Sequence, residues 1–229
     1  VTAAAGMDIL CHALESYAAK PYTEFAAKRA EERVPYCGAN PISDMWSREA
    51  VRLLATSFRT AVADGDDVDA RGAMALAATF AGMGFGNAGV HVPHACAYPI
   101  AGMVRDFRPD GYDADHPMVP HGMAVAMTAP AAFALLYPAD PGRHHELAAL
   151  LEPDTAGSDL GCDALPDALR RLMRDIGLPN GLVALGYSHG DLPQLVDGAM
   201  KQQRLLATAP VDITETDVER VLRDSMTLW

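Results

Sequence analysis

No two of the four cysteines (Cys11, Cys37, Cys96 and Cys162) form a C-x-x-C pair. Thiols this sparse and far apart in 229 residues read as reduced and mostly buried, as in an intracellular protein. Basic residues are also short: 18 Lys and Arg stand against 30 Asp and Glu, a net charge of −12. That balance argues against nucleic acid or an anionic membrane surface as the main partner, and an anionic substrate would need locally placed cations. No uninterrupted apolar run of about eighteen residues occurs, so no membrane span is expected. Aromatic residues make up only 7 % of the chain. Nowhere do two alternating β-branched runs appear, and neither an internal repeat nor a low-complexity tract is present.

Apolar residues and alanine are abundant. Half the residues are hydrophobic and 21 % are charged, the balance of a folded chain with a sizeable core. The alanines favour helices packed closely through small side chains. A first helix is expected over 2–19, with Thr2 as its N-cap and Pro21 marking its end. Residues 20–41 are mixed and charged and read as an excursion closed by Gly38-Ala39-Asn40-Pro41. A second helix starts at Ser43-Asp44 and breaks at Asp64-Gly65-Asp66; a third runs from about Val68 to Gly82. It is expected to dissolve into 81–89, where four glycines suggest close backbone approach to another segment or a ligand.

Residues 91–103 suggest a short helix and 104–120 a loop. His121 to Leu136 is apolar nearly all round, the pattern of a buried helix, with Pro130 expected to kink it. Further helices are expected from Arg143 to Leu151, from Leu165 to Ile176 (ended by Gly177 and Pro179), from Ser188 to Lys201 and from Glu215 to Met226. The expected fold class is all-α, with 1–229 forming one helical domain.

Asp8 and His12 carry the clearest chemical pattern. Four residues apart on a helix, they lie one above the other on the same face and can act as two teeth of a metal clamp. On spacing alone a first-turn acid beside an incidental histidine is the commoner arrangement. Apolar neighbours and a second histidine region, His91, His94, His116 and His121, shift that balance. His94 and His121 each stand where a helix start can aim an imidazole inward; His91 is open as a further ligand. His116 sits in the polar stretch D-A-D-H-P and is expected to be exposed. One carboxylate with two or three imidazoles suits Zn²⁺ or Fe²⁺ better than Ca²⁺ or Mg²⁺. His144, His145 and His189 read as surface or satisfied core residues.

Three segments in order, G-M-D-I-L-C-H-A-L-E-S-Y (6–17), F-G-N-A-G-V-H-V-P-H-A-C-A-Y-P (85–99) and V-P-H-G-M-A-V (119–125), resemble the C-terminal domain of the iron-containing (group III) alcohol dehydrogenases. N-P-I-S-D-M-W (40–46) and D-H-P-M-V-P-H-G (115–122) resemble the hydroxyacid–oxoacid transhydrogenase branch of that family. The likeness extends over essentially the whole chain, including S-M-T-L-W at its end. It implies the helical half of a dehydroquinate synthase-like fold, whose other half is an α/β dinucleotide-binding domain. No Gly-rich phosphate loop after a strand is present here. The start at Val1, without an initiator Met, is therefore read as the continuation of a longer protein, and the isolated chain is expected to be inactive.

Position by position, the resemblance implies Asp8, His12, His94 and His121 as ligands of a divalent metal, Fe²⁺ or Zn²⁺. It places Phe85 near the nicotinamide of an NAD held mainly by the absent domain. Tyr98 stands where many alcohol dehydrogenases carry a second histidine, so it is the candidate catalytic residue. A phenol there donates a hydrogen bond but relays protons poorly near neutral pH. Arg105 and Arg108 are candidate carboxylate anchors, although solvated loop charges are the commoner case.

The implied activity is metal-assisted hydride transfer from a hydroxy acid such as 4-hydroxybutyrate to an oxo acid such as 2-oxoglutarate, through bound NAD. Rival expectations are a plain NAD-dependent alcohol dehydrogenase, a non-catalytic helical metal-binding or interaction module, and a metal-dependent hydrolase. Small hydroxy acids, oxo acids or alcohols are the expected partners, with a homo-oligomer possible. The expected location is cytoplasmic, an organellar targeting segment ahead of Val1 being left open.

Overall fold

A computed structural model describes residues 1–32, 34–153 and 161–229. Eleven α-helices appear among them. They are α1 (Thr2–Tyr17), α2 (Pro41–Ala63), α3 (Val68–Ala88), α4 (Val92–Gly102), α5 (His121–Leu136), α6 (Pro141–Leu151), α7 (Ala164–Asp175), α8 (Gly181–Ala184), α9 (Leu192–Met200), α10 (Gln203–Leu206) and α11 (Glu215–Asp224). The described residues contain no strand, only an isolated parallel bridge between Pro21 and Ala39. The chain is all-α, as its periodicities predict.

α1 is the hub of the bundle. It buries Met7, Leu10, Cys11, Leu14 and Tyr17 and packs against α2, α3 and α5. α5 is more deeply enclosed: every residue from Gly122 to Phe133 is buried, and it packs on α1, α4, α7 and α11. The helix continues through Pro130. With the turn after it, His121–Ala139 is long and apolar enough to cross a membrane by length and composition. Some 72 % of that window is buried inside the protein, so core packing accounts for its apolarity.

Several boundaries differ from the expected ones for local reasons. Thr2 is the first residue of α1 and not its cap; Val1 takes that position without a side-chain bond. α2 starts at Pro41 because Asn40 accepts hydrogen bonds from the Ile42 and Ser43 amides, and a proline at N1 has no N–H to lose. α3 does not dissolve at Gly82 but runs to Ala88 and stops at Gly89. Only Gly84 within it meets a close neighbour: a Cβ there would stand 2.6 Å from Ser47 Oγ of α2. The close approach suggested by the glycine run therefore belongs to Gly84 and to Gly89, where a Cβ would stand 2.9 Å from Thr208 Cγ2, and tertiary packing outweighs the cost of roughly 1 kcal/mol per helical glycine.

α6 begins two residues early because Asp140 caps it through the Arg143 amide. Residues 188–201 divide into a 3-10 turn (His189–Asp191) and α9. α8 and α10, of four residues each, carry no sequence signal. Residues 20–41, Arg33 aside, form the expected excursion, with two 3-10 turns and the Pro21–Ala39 bridge.

Candidate metal centre

Three helices supply one cluster of donor atoms. Asp8 and His12 come from α1, His94 is the third residue of α4 and His121 the first of α5. Two helix N-termini thus face a carboxylate, the favourable pairing for a helix dipole. Asp8 Oδ1 lies 3.4 Å from His94 Nε2, 3.7 Å from His121 Nε2 and 3.9 Å from His12 Nε2. The His12 and His94 rings stack with centroids 4.6 Å apart, and His121 tilts against His94 at 5.4 Å. One donor atom from each of Asp8, His12 and His94 falls within 4.8 Å of the others.

Asp8 Oδ1 and His94 Nε2 are both buried, and neither has a hydrogen-bond partner. Leaving such atoms unpaired costs about 1–3 kcal/mol each, more for charged groups. Ligands about 2.0–2.2 Å from a tetrahedral cation stand roughly 3.3–3.6 Å apart, close to the spacing found here. The residues therefore fit a divalent cation of the Zn²⁺ or Fe²⁺ kind. His121 is the open member, its side chain 46 % exposed.

The electrostatics follow from this crowding. Burial raises the Asp8 carboxyl, but contact with His94 and the charges of His12, His94 and His121 outweigh it and hold the pKa below the ordinary value. Burial pushes His12 down to about 4, with the His94 charge adding to it. His94 is the exception. Burial would lower it, yet Glu15 on one side and Asp8 on the other raise it to about 9. Cys11, beside the cluster, stays a neutral thiol because burial, then Glu15 and Asp8, raise its pKa well above the usual value.

Glu15 is the residue that the sequence reading missed. It is fully buried, and Oε2 lies 2.5 Å from His94 Nδ1 while Oε1 accepts from the His91 and His94 amides. Burial raises its carboxyl, but His94 and then His91 more than reverse that. Spacing could have found it: Glu15 is three residues beyond His12 and seven beyond Asp8, on the same face of α1.

The other candidates separate clearly. Phe85 of α3 stacks on His12 with centroids 4.0 Å apart and planes at 10°. Tyr98, 47 % exposed, meets His121 edge-on with centroids 6.2 Å apart. His91 is entirely buried, its ring packed edge-on against Phe133 and its pKa pushed by burial to about 4; it stands outside the donor cluster. His116 is exposed and paired with Asp115. His144 is buried with Nδ1 on the Asp140 carbonyl, His145 meets the Tyr137 hydroxyl, and His189 is exposed.

Arg105 is not a free carboxylate anchor. It grips both oxygens of Asp191 and the Gly186 carbonyl and lies over the Tyr187 ring. Arg108 braces its own loop through the Ala114 carbonyl.

Fold and cluster together define a helical domain that gathers Asp8, His12 and His94 around a cation-sized gap, with His121 beside them. Residues 30–226 match the family model described as Fe-containing alcohol dehydrogenase family, C-terminal, and the chain belongs to that family. The mitochondrial hydroxyacid-oxoacid transhydrogenase of Rattus norvegicus is 43 % identical over 233 residues, covering 100 % of this chain and 50 % of the relative. Among solved structures, an alcohol dehydrogenase from Oenococcus oeni matches with a TM-score of 0.78 and 29 % identity, covering 98 % of this chain and 51 % of its own. Sulfoacetaldehyde reductase from Bifidobacterium kashiwanohense, in complex with NAD⁺, matches with a TM-score of 0.72 and 27 % identity, covering 97 % and 49 %. The chain spans about half the length of the curated relatives it matches.

Proposed function

We propose that Asp8, His12, His94 and His121 hold one divalent cation in a domain that serves hydride transfer between a hydroxy acid and a 2-oxo acid through bound NAD. The observation that carries this reading is the 3.4 Å gap between Asp8 Oδ1 and His94 Nε2, two buried atoms with no hydrogen-bond partner. A cation bound there supplies Lewis-acid stabilisation of charge on the substrate oxygen, and nicotinamide supplies the hydride acceptor. The family description favours iron, and the donor set suits zinc as well.

The chain's own residues then divide the work. The three imidazoles and Asp8 neutralise and orient; Glu15 holds the His94 ring. Phe85 covers one face of His12 and keeps water from it. Tyr98, half exposed and edge-on to His121, can donate a hydrogen bond from its hydroxyl to a substrate oxygen. NAD as the hydride acceptor is supported by the relative solved with NAD⁺, and residues beyond this domain would hold most of it.

The substrate class rests on the transhydrogenase relatives. In the intact protein, oxidation of a hydroxy acid such as 4-hydroxybutyrate should require a 2-oxo acid such as 2-oxoglutarate, proceed without added NAD, and disappear with His94→Ala. Net consumption of free NAD with no 2-oxo acid present would favour the second reading, a plain alcohol dehydrogenase, which the Oenococcus oeni likeness supports. The mitochondrial names of the relatives support an organelle as the compartment beside the cytoplasm.

A further inference from the structure

We propose that Glu15 is a positioning residue that fixes His94 as a cation ligand while capping α4 from a different helix. This rests on the cation reading above. α4 begins without a cap of its own: His91 occupies the N-cap position and makes no side-chain capping bond. Pro93 in its first turn has no N–H to satisfy. The two amides that a capping box would satisfy belong to the N-cap and N3 residues, here His91 and His94. Glu15 Oε1 accepts from both, at 2.8 and 3.3 Å, across 76 and 79 residues of sequence.

The second oxygen sets the chemistry. An ionised carboxylate only accepts, so the His94 nitrogen facing Glu15 Oε2, Nδ1, carries the proton. Once a cation displaces the second proton, the other nitrogen, Nε2, is the one left to bind it, across the gap from Asp8 Oδ1. With Glu15 and His94 both buried, water does not substitute for either contact. One carboxylate therefore ties the start of α4 to the tautomer of its third residue, and both depend on a side chain of α1.

Glutamine separates the two roles. In Glu15→Gln the amide oxygen can remain on the His91 and His94 amides, which keeps the cap. The amide NH₂ then faces Nδ1 as a donor and favours the tautomer with its proton on Nε2, the nitrogen that the cation needs free. Turning the amide over would instead set its NH₂ against two backbone N–H donors.

The test is a calorimetric and visible-absorption titration of the metal-free chain with Co²⁺, beside thermal melts. Wild type should bind one Co²⁺. Glu15→Gln should keep its helicity and bind about 10- to 100-fold more weakly. Equal affinity in the two proteins overturns the Glu15 assignment alone; no Co²⁺ binding by wild type overturns the cation reading and this one with it. Should Glu15→Gln fail to fold, the Zn²⁺-loaded wild type still decides by long-range ¹H–¹⁵N correlation. A slowly exchanging proton on His94 Nδ1 supports the assignment, and an Nδ1 without one overturns it.

Discussion

Gly122 lies directly against Asp8: a Cβ built on Gly122 would stand 2.6 Å from the Asp8 Cβ and 2.1 Å from the Ala4 carbonyl oxygen. The first turn of α5 can rest on α1 at this point only without a side chain, and that contact carries His121 to the cluster. Gly122→Ala gains about 1 kcal/mol of helix propensity. It must also displace backbone, and overpacking of this kind costs about 1–3 kcal/mol. The backbone clash should win. The variant should melt lower than wild type and bind a divalent cation more weakly, because His121 moves off. Unchanged stability and affinity would refute the proposed role of this contact.

The buried histidines in and beside the cluster give the metal-free chain a stability maximum. His94 is raised from 6.5 to about 9 in the folded state, so its contribution is complete below about pH 6.5 and is lost as pH rises through 9. His12 and His91 act in the opposite sense. Held at about 4, they bind protons more readily when unfolded, so stability falls as pH drops from 6.5 toward 4. Asp8 and Glu15, both lowered, add to the loss at still lower pH. Thermal melts in chelator should therefore peak near pH 6.5, and His94→Gln should flatten the alkaline side. A melting temperature that climbs steadily past pH 8 contradicts this.

Much of this arrangement is legible in the sequence. The helical spacing of Asp8 and His12 is local, and the positions of His94 and His121 at helix starts follow from the residues around them. The end of α7 at Gly177 and Pro179 is written in its turn chemistry. Glu15 is legible in principle, since it continues the Asp8–His12 face, but its partners lie 76 and 79 residues away and no local rule brings them near. The passage of α3 through Gly82, Gly84 and Gly86 is illegible for the same reason. Propensity argues against it, and packing against α1 and α2 overrides propensity.

Arg105 shows where local reading misleads. Beside a histidine cluster and ahead of a polar loop it looks available for a substrate carboxylate, yet its partners are Asp191 and Gly186, 86 and 81 residues away. Its raised pKa comes first from the Asp191 bond and then from the Asp191 charge. Arg105→Ala should leave stability little changed, as loss of an exposed pair does. KM for a carboxylate substrate of the intact protein should not change. A rise in KM of tenfold or more, with stability unaltered, would return Arg105 to the substrate site.

The proposed site holds a single cation through Asp8, His12, His94 and His121. Its most direct test is equilibrium titration of the metal-free chain with Fe²⁺ under anaerobic conditions and with Zn²⁺, followed by metal analysis of the dialysed protein. One cation per chain is expected, lost in His94→Ala and Asp8→Ala and weakened less in His121→Ala, whose side chain is half exposed. Wild-type protein that retains no metal, or variants that bind as tightly as wild type, would contradict it.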